Sequence, residues 1–539
     1  MKVTIKHTVF TLALLFSLSA CEVDRLPETN ISDETFWQSE SDIKVANNYL
    51  YTFLPAFNIE DNWSDDAFGL ASNNISDGSR LAPATASGDY NTPYNLIRAA
   101  NNVLEKAPRA SAAVSPAIMD RYLAEARFFR AWAYFSLMQK YGSVPLILKT
   151  LTEDSPELTA PAASRDQIID QIYQDLDFAA QKLPTPTALG AADYGRISNT
   201  AALAFKARVA LFEGTRAKFH KYGEPAKHLQ LAVTASKAVI DSKEHDLFAS
   251  YFNLFQLAGE GRQNRENIIV RQYGVSNTDR VSTHSYYRGS LETGNLNPTK
   301  SLADSYLMKD GLPITKSPLY KAPVKSVDVF ANRDTRMSDT FLKAGDPYMT
   351  TKPVFDIANL VFNKTGFTFR KYANIDDWNT QASTVDRVLL RYAEVLVTYA
   401  EATYELTETI SDADLDLTVN RLRARGGVAK LTNTFAKANG LDMREEIRRE
   451  RRVELAQESF RYWDLIRWKT AEIELPKPVL GNFFFKSEYA STTVNLTPDN
   501  YILVQAASFR KFDPAKDYIW PLPVNEIALN PSLNQNPGW

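Results

Sequence analysis

The chain has 539 residues and a formal net charge of −3, with 44% hydrophobic and 23% charged residues. These values are typical of a globular protein, and they exclude the basic excess that a nucleic-acid-binding protein uses to neutralise phosphates. Aromatic residues make up 12% of the chain, with 25 Tyr and 8 Trp among them. That is more than a core needs, and it favours a surface on which a ligand stacks.

The N-terminus has the pattern of a bacterial lipoprotein signal. Lys2 and Lys6 precede an apolar run over residues 9–18, which is too short to span a bilayer, and small residues lie directly before Cys21. Cys21 is the only cysteine, so it has no disulfide partner in the chain. We therefore predict a signal peptide over residues 1–20 and a lipid on Cys21, which would anchor the protein to a membrane without a transmembrane helix.

Residues 22–35 predict an extended tether, and residues 42–53 predict a first helix. The composition then shifts to Asn, Ser, Asp and Gly over residues 58–89, without periodicity. This predicts a long loop of the kind that often carries function. Apolar residues return at helical spacing from Tyr90 to Leu104, which predicts an amphipathic helix.

Cap residues mark the next two helices. Ser115 is a suitable N-cap, a proline follows it at the first helical position, and Gly142 suits the C-terminal end. Ser164 and Gln167 have the spacing of a capping box for a helix that runs to about residue 182.

Two further helical pairs have the lengths of tetratricopeptide units. They are residues 199–212 with 228–241, and residues 387–406 with 412–423. Alanine recurs on their apolar stripes, and small residues at the points of contact let paired helices approach closely.

The helical pattern weakens over residues 247–383 and 471–517, where Pro, Gly, Asn and aromatic residues increase. We predict loops and small strands laid over the helical scaffold there, with strands at residues 482–486, 492–496 and 501–504. The C-terminal tail carries prolines that favour an extended cover over a helix: Pro521, Pro523, Pro531 and Pro537.

Residues 443–469, MREEIRRERRVELAQESFRYWDLIRWK, form the most charge-dense stretch. Arginines and glutamates meet at i, i+3 and i+4 spacing, which predicts one helix, and a short aromatic segment around Trp463 and Trp468 follows it. Two interpretations remain open: a solvated face of ion pairs, or an arginine–carboxylate network under neighbouring helices. Both are structural and neither is catalytic.

This stretch resembles the signature of the SusD/RagB family, the surface lipoproteins that act with TonB-dependent transporters in Bacteroidetes. Ser459 is a departure, since the family usually has glycine at that position. Four further segments resemble family landmarks: EARFFRAWAYFSLMQKYGSVPLI (125–147), VLLRYAEVLVTYAEA (388–402), NRLRARGG (420–427) and IWPLPVNEIALNPSLNQNPGW (519–539).

The resemblance implies a mainly α fold, a scaffold of tetratricopeptide-like helical pairs with irregular loops and short strands packed over it. One SusD-like domain over residues 21–539 is expected, with helical pairs within residues 90–243 and 384–469. The resemblance also implies a lipid-anchored, surface-exposed lid on an outer-membrane transporter of the SusC-like, TonB-dependent type. Such a lid delivers oligosaccharide without catalysis, and no cofactor is expected.

A glycan site needs exposed rings beside planar hydrogen-bonding groups, because sugars present both C–H faces and hydroxyls. No site residue follows from the family resemblance, because the loops do not align by motif. Three irregular segments offer the mixture: Trp63 with Asp65, Asn73, Asn74, Asp77 and Arg80; Tyr286, Tyr287 and Arg288; and Asp376, Asp377 and Trp378.

Enzymatic motifs are weak. The sequence contains no H-E-x-x-H, G-x-S-x-G or C-x-x-C pattern. Asp412 begins an apparent calcium loop, but Leu417 and Arg423 occupy its glycine and glutamate positions, so we predict the first turn of a helix instead. Two alternatives remain open: the same lid with peptide or another polymer as cargo, and a lipid-anchored glycoside hydrolase that uses a carboxylate pair.

Overall fold

Helices form the scaffold of the computed structural model, which describes residues 33–58, 60–86, 88–274, 281–282, 289–380, 382–489 and 492–539. The prediction of a mainly α fold is confirmed. The principal helices are α1 (Glu40–Tyr51), α2 (Gly88–Lys106), α3 (Pro116–Tyr141), α4 (Arg165–Lys182), α5 (Asn199–His220), α6 (Pro225–Ser242), α7 (Tyr392–Thr407), α8 (Asp412–Leu417), α9 (Val419–Arg425), α10 (Met443–Glu454) and α11 (Arg461–Arg467). Shorter helices are Asp33–Phe36, Pro186–Leu189, Tyr251–Leu254, Lys300–Ser305, Thr335–Thr340, Ile375–Thr380, Asn433–Ala438, Ala471–Glu474 and Val524–Leu529.

Local chemistry sets several of the helix ends. The predicted capping box of α4 is confirmed, because the Ser164 hydroxyl accepts from the Gln167 N–H and the Gln167 side chain accepts from the Ser164 N–H. Helix α3 begins after Ser115, whose side chain makes no cap hydrogen bond, and it ends at Gly142 with a φ of 74°. Glycine adopts this left-handed conformation at little cost.

The long helices pack as successive neighbours in a helical array. Helix α3 contacts α2 and α4, α5 contacts α4 and α6, and α7 contacts α6 and α10. Small residues permit the close approach that the sequence indicates. At the contact of α5 with α6, a Cβ added at Gly214 would lie 2.9 Å from Leu229.

The second predicted pair differs from expectation at both of its members. The helix predicted over residues 387–406 begins only at Tyr392, because residues 387–391 form a strand. This apolar run also fits a half-buried strand, and residues 267–271 supply the ladder hydrogen bonds. The partner helix divides into α8 and α9 at Thr418, where φ is −125° and ψ is −92°. The helical turn predicted at Asp412 is confirmed as the start of α8.

The strands are short and pair only as antiparallel two-stranded ladders within the described residues. The strand predicted over residues 501–504 is confirmed within Tyr501–Gln505, whereas the one predicted over residues 482–486 lies three residues earlier, at Val479–Phe483. Residues 492–495 form no strand, and Leu496 makes a single bridge to Ile502. The strands are β1 (Ala67–Phe68), β2 (Asn267–Arg271), β3 (Val281–Ser282), β4 (Asn297–Pro298), β5 (Pro347–Met349), β6 (Lys352–Val354), β7 (Ala382–Ser383), β8 (Arg387–Arg391), β9 (Val479–Phe483) and β10 (Tyr501–Gln505).

The proline-rich tail is not extended throughout. A short helix over Val524–Leu529 begins directly after Pro523. The prediction of a continuous extended cover is wrong here, because a proline just before the first turn of a helix costs no hydrogen bond.

The arginine-rich stretch forms α10 and α11, and its charges are largely buried. The Glu454 carboxylate accepts hydrogen bonds from Arg336 at 2.7 Å and Arg391 at 2.6 Å, and it also pairs with Arg425. Burial raises the pKa of Glu454, but the three guanidinium groups outweigh it and hold the pKa well below its usual range. The network interpretation is therefore correct. Between the two helices Ser459 has a φ of 65°, a conformation that suits the glycine usual in the family.

In the part of the chain that the structure describes, no helix combines the length and the apolar character needed to cross a bilayer.

Candidate functional site

Strand pairing and a side-chain hydrogen bond connect residues close in sequence to the three predicted binding segments. Strand β1, which follows Trp63 and Asp65, pairs with β4. The Trp378 indole donates to the Glu292 carboxylate at 2.9 Å, and β3 pairs with β7. These contacts bring parts of the 58–89 and 281–383 regions together on the loop-rich side. Four predicted residues lie outside the described residues: Cys21, Tyr286, Tyr287 and Arg288. The side chains of Asp376 and Asp377 are likewise outside the described part.

Asp65 is placed in an ion-pair cluster rather than on an open face. Its carboxylate accepts from Arg452 at 2.9 Å, from Arg461 at 2.8 Å and from the Ser301 hydroxyl at 2.8 Å. Burial raises the pKa of Asp65, but the two guanidinium groups outweigh it and lower the pKa below its ordinary value. The ion pairs attach the 58–89 loop to α10 and α11.

The other predicted residues have varied surroundings. Asn73 and Asp77 each accept a hydrogen bond from a backbone N–H two residues later, which stabilises the loop's own turns. Asn74 is exposed. The Arg80 guanidinium lies 3.5 Å from the centre of the Trp520 ring. Trp378 is 9% exposed and packs in a small apolar cluster.

Trp63 lines a cavity of about 220 Å³ where the 58–89 loop meets the helical array. We call this cavity the Trp63 cleft. Its walls come from the loop, from α3 and α5, from β8 and from the α10–α11 connection. Its aromatic lining residues are Trp63, Trp132, Phe135, Phe205, Phe212, Phe460 and Trp463, and its polar lining residues include Asn58, Glu60, Ser136, Gln139, Lys140, Arg208, Arg387, Arg451 and Ser459.

Successive ring–ring contacts run through the cleft. Trp132 stacks on Phe205 with ring centres 4.6 Å apart and an interplanar angle of 19°. Trp63 contacts Trp463 edge to face at 6.4 Å. Trp63, Trp132 and Trp463 are each partly exposed, so they combine packing with surface that a ligand could cover.

Two guanidinium groups of the cleft carry unsatisfied donors. Arg387 Nη1 and Arg451 Nη1 are buried and have no hydrogen-bond acceptor in the described part of the protein. Arg451 is also bonded through Nε to Asp464 at 2.9 Å. Arg387 has no carboxylate within ion-pair distance among the described residues. Buried unsatisfied donors are costly, so both positions favour a ligand that supplies oxygen acceptors.

Glu60 provides the complementary acceptor. Burial raises the pKa of its carboxyl, while the positive charges of Lys140 and Arg387 oppose that rise. Glu60 and Arg387 can therefore hold neighbouring hydroxyls of one ligand, one as acceptor and the other as donor.

The other cleft carboxylates are already engaged. Glu458 accepts from Arg391 and Lys371, each at 2.7 Å. Asp464 accepts from Arg451 and Arg467, each at 2.9 Å. Glu60 therefore has no unengaged carboxylate partner among the described residues that line the cleft. No cluster of three or more potential metal ligands occurs in the described part of the chain.

Sequence reasoning missed most of this cleft. Trp132 gave no distinct signal, because Phe128, Trp132 and Phe135 form an apolar stripe of their own on α3 at i, i+4 and i+7 spacing. Such a stripe predicts core packing and not a ligand contact. No sequence pattern indicated Arg387 as a ligand contact, because its place in the cleft depends on residues 387–391 forming β8.

The fold and the cleft define a class of protein: a helical array that carries a ligand-sized cavity of mixed aromatic and hydrogen-bonding character. Two sequence families match this chain. The SusD family matches residues 265–539, and a family described as starch-binding and associating with the outer membrane matches residues 33–211. The chain therefore belongs to the SusD family, and the resemblance seen in the sequence is confirmed.

Individual relatives cover nearly the whole chain. This chain is 25% identical to a SusD-like protein of Bacteroides ovatus, and the match covers 98% of this chain and 97% of the relative. It is 26% identical to a SusD-like protein of Formosa agariphila, over 98% and 99% respectively. A solved SusD-like carbohydrate binding protein of Bacteroides fragilis shares 26% identity with a TM-score of 0.76, covering 93% of this chain and 100% of that one. A second solved SusD-like protein of Bacteroides fragilis has the same fold, with 22% identity and a TM-score of 0.75. The match covers 96% of this chain and 100% of that one.

Proposed function

We propose that this protein is a non-catalytic, surface-exposed lipoprotein that captures oligosaccharides and passes them to a TonB-dependent outer-membrane transporter. The observation that carries the proposal is the Trp63 cleft. It combines partly exposed indole rings with the unsatisfied donors of Arg387 and Arg451 and the acceptor of Glu60. This is the chemistry by which a protein holds a pyranose.

The comparisons support a carbohydrate ligand. One matching family is described as starch-binding and associating with the outer membrane. A solved relative with 26% identity is described as a carbohydrate binding protein. Both descriptions agree with the aromatic lining of the cleft.

In the proposed complex the ring faces cover the C–H surface of one sugar, and the polar groups bind its hydroxyls. Arg387 and Arg451 donate to ring or hydroxyl oxygens, and Glu60 accepts from a hydroxyl. The proposal retains Trp63 as a ligand contact. The other predicted ligand contacts stay predictions: Asp65, Asn73, Asn74, Asp77, Arg80, Tyr286, Tyr287, Arg288 and Trp378.

The proposed location is the outer membrane. The signal over residues 1–20 would direct export, and lipid on Cys21 would anchor one mature domain over residues 21–539. The helical array would then serve as a rigid platform against a SusC-like barrel. Membership of the SusD family supports this proposed partnership.

The absence of catalysis is supported by the state of the cleft carboxylates. Hydrolysis of a glycosidic bond ordinarily needs two carboxyl groups beside the scissile bond. Glu458 and Asp464 are each held by two cations, which leaves Glu60 without a second functional carboxylate in the described lining. The lipid-anchored hydrolase is therefore the less favoured alternative.

Peptide cargo is the second alternative, because rings and guanidinium groups also bind peptide carbonyls. Calorimetric titration with malto-, cello-, xylo- and manno-oligosaccharides and with a mixed peptide digest separates the two. We expect heat only from a glycan. Saturable binding of peptides alone would contradict the proposal, and release of new reducing ends from the polysaccharides would establish a hydrolase.

Substitutions in the Trp63 cleft test whether the glycan binds there. Arg387→Ala and Glu60→Gln should each weaken glycan binding by roughly 10-fold or more, since each removes a hydrogen bond in a desolvated site. Leu81→Ala is a suitable control, because Leu81 is 80% exposed and does not line the cleft. Unchanged affinity in both cleft variants would place the ligand elsewhere.

A further inference from the structure

A second cavity of about 300 Å³ lies between the loop over residues 314–333 and the β9–β10 ladder. We call it the Tyr320 groove, and its lining includes Lys300, Asp304, Tyr320, Arg333, Phe483 and Tyr501. It shares no lining residue with the Trp63 cleft.

The groove presents aromatic surface. The Tyr320 side chain is 39% exposed, and Phe483 and Tyr501 are partly exposed. Tyr501 contacts Phe483 edge to face at 5.8 Å, and the Lys300 ammonium lies 4.5 Å from the centre of the Tyr501 ring. These contacts fix the Tyr501 ring in a defined orientation while part of it remains at the surface.

Arg333 lines the groove with a buried, incompletely bonded guanidinium group. The residue is 5% exposed, and its Nη2 donates to the Ala303 and Tyr306 carbonyls at 2.6 and 2.8 Å. Its Nε is buried and has no acceptor among the described residues. No carboxylate of the described chain lies within ion-pair distance of Arg333. A ligand oxygen would complete this group.

A neighbouring cavity extends the groove toward the Trp63 cleft. It has a volume of about 240 Å³, shares Lys300 and Asp304 with the groove, and reaches Asp65. Trp63, two residues earlier, lines the cleft. The segment that carries Trp63 and Asp65 therefore separates two ligand-sized spaces, and one extended polymer could contact both.

We propose that the Tyr320 groove is a second sugar-binding subsite, which holds a later unit of the same glycan chain that the Trp63 cleft binds. This inference rests on the proposed glycan-binding function. Partly exposed rings beside a lysine–aspartate pair and an unsatisfied arginine suit a pyranose better than a protein surface, because they offer separate donors and acceptors for hydroxyls.

Chain length provides the first test. Two linked subsites raise the affinity of a spanning chain by about 10²-fold or more over a short one, without any new contact. The test uses whichever series, malto-, cello-, xylo- or manno-oligosaccharide, binds to the protein. We expect wild type to bind long members of that series with this higher affinity than the trisaccharide. Tyr320→Ala should remove the gain and leave trisaccharide binding at the cleft unchanged. Tyr49→Ala is the matched control, because this tyrosine is 56% exposed on α1 and lines neither site.

Stoichiometry provides the second test. Native mass spectrometry, with trisaccharide at the lowest concentration that fills both sites of wild type, should show two bound molecules in wild type and mainly one in Tyr320→Ala or Arg387→Ala. A single bound molecule in wild type, with Tyr320→Ala indistinguishable from it, would overturn the second subsite and leave the proposed function intact. No glycan binding by wild type would reject both. Loss of transporter capture in Tyr320→Ala, with glycan binding unaltered, would identify the groove as a protein contact and also overturn the subsite.

Discussion

Arg391 Nη1 lies 2.6 Å from Glu454 Oε1, and this ion pair joins the end of β8 to the last residue of α10 with both side chains fully buried. Glu454 also binds Arg336, from the short helix Thr335–Thr340, and Arg425, from α9. One carboxylate thus connects three segments that are far apart in sequence. The network fixes the β8 backbone beside the Trp63 cleft, where Arg387 lies four residues before Arg391.

Glu454→Gln should strongly destabilise the protein. The substitution leaves buried guanidinium groups without their full counter-charge, and breaking a buried pair costs about 3–5 kcal/mol. Urea unfolding followed by circular dichroism measures the loss. The exposed pair Lys237–Asp241 is the control, with side chains 41% and 56% exposed. Asp241→Asn should cost less than about 0.5 kcal/mol, and an equal loss in both variants would contradict a special role for the network.

Asp61 should make stability fall as the pH rises. Burial raises its pKa to about 7, the negative charge of Asp66 adds to the rise, and the hydrogen bond from the Ser459 N–H opposes it. The unfolded carboxyl titrates near pH 3.9, so the folded protein binds the extra proton between about pH 4 and 7. The stability contributed by that proton is complete below about pH 4 and lost above about pH 7.

Asp61→Asn tests this linkage, because the amide oxygen can still accept the Ser459 N–H bond at Oδ1. The wild-type unfolding free energy should fall by ~1.4 kcal/mol per pH unit while Asp61 titrates, whereas that of the variant should not. The difference, variant minus wild type, should therefore increase by about 3 kcal/mol between pH 5 and pH 8. Chemical unfolding at both pH values measures it, with Asp241→Asn as the control. Parallel pH profiles for wild type and Asp61→Asn would contradict the raised pKa.

Gly214→Ala should destabilise the protein although alanine favours helices. The added Cβ would lie 2.9 Å from Leu229 at the α5–α6 contact, and overpacking of this kind costs about 1–3 kcal/mol. Gly88→Ala in the first turn of α2 is the control, because its Cβ would meet only Thr92 Oγ1 at 3.8 Å. Thermal unfolding should show a lower Tm for Gly214→Ala and an unchanged or higher Tm for Gly88→Ala.

Cys21→Ser should release the protein from the membrane. The hydroxyl cannot accept the thioether-linked lipid, and acyl chains contribute about 0.8 kcal/mol per buried methylene to membrane binding. Metabolic labelling with a radioactive fatty acid, followed by membrane fractionation, compares the two forms. A Cys21→Ser protein that stays labelled and membrane-bound would argue against this anchor.

The sequence indicated several elements correctly because their signals are local. The capping box at Ser164 and Gln167 and the glycine end of α3 depend only on residues within a few positions. The helix predicted from residue 387 failed because an apolar run can satisfy either period, and only the presence of β2 decided for a strand. Trp63 was predicted as a ligand contact, whereas Trp132 and Phe205 were not, because their place in the cleft depends on the meeting of α3, α5 and the loop.

The sequence by itself determined the family, the helical scaffold and the predicted anchor, because motif, periodicity and composition are properties of neighbouring residues. Tertiary structure decided which charges are buried and where a ligand fits. The Trp63 cleft takes its walls from a loop, two helices, a strand and a helix connection, which are spread between residues 55 and 467. Burial and unsatisfied hydrogen bonds exist only after those segments meet, since both depend on what surrounds a side chain in space.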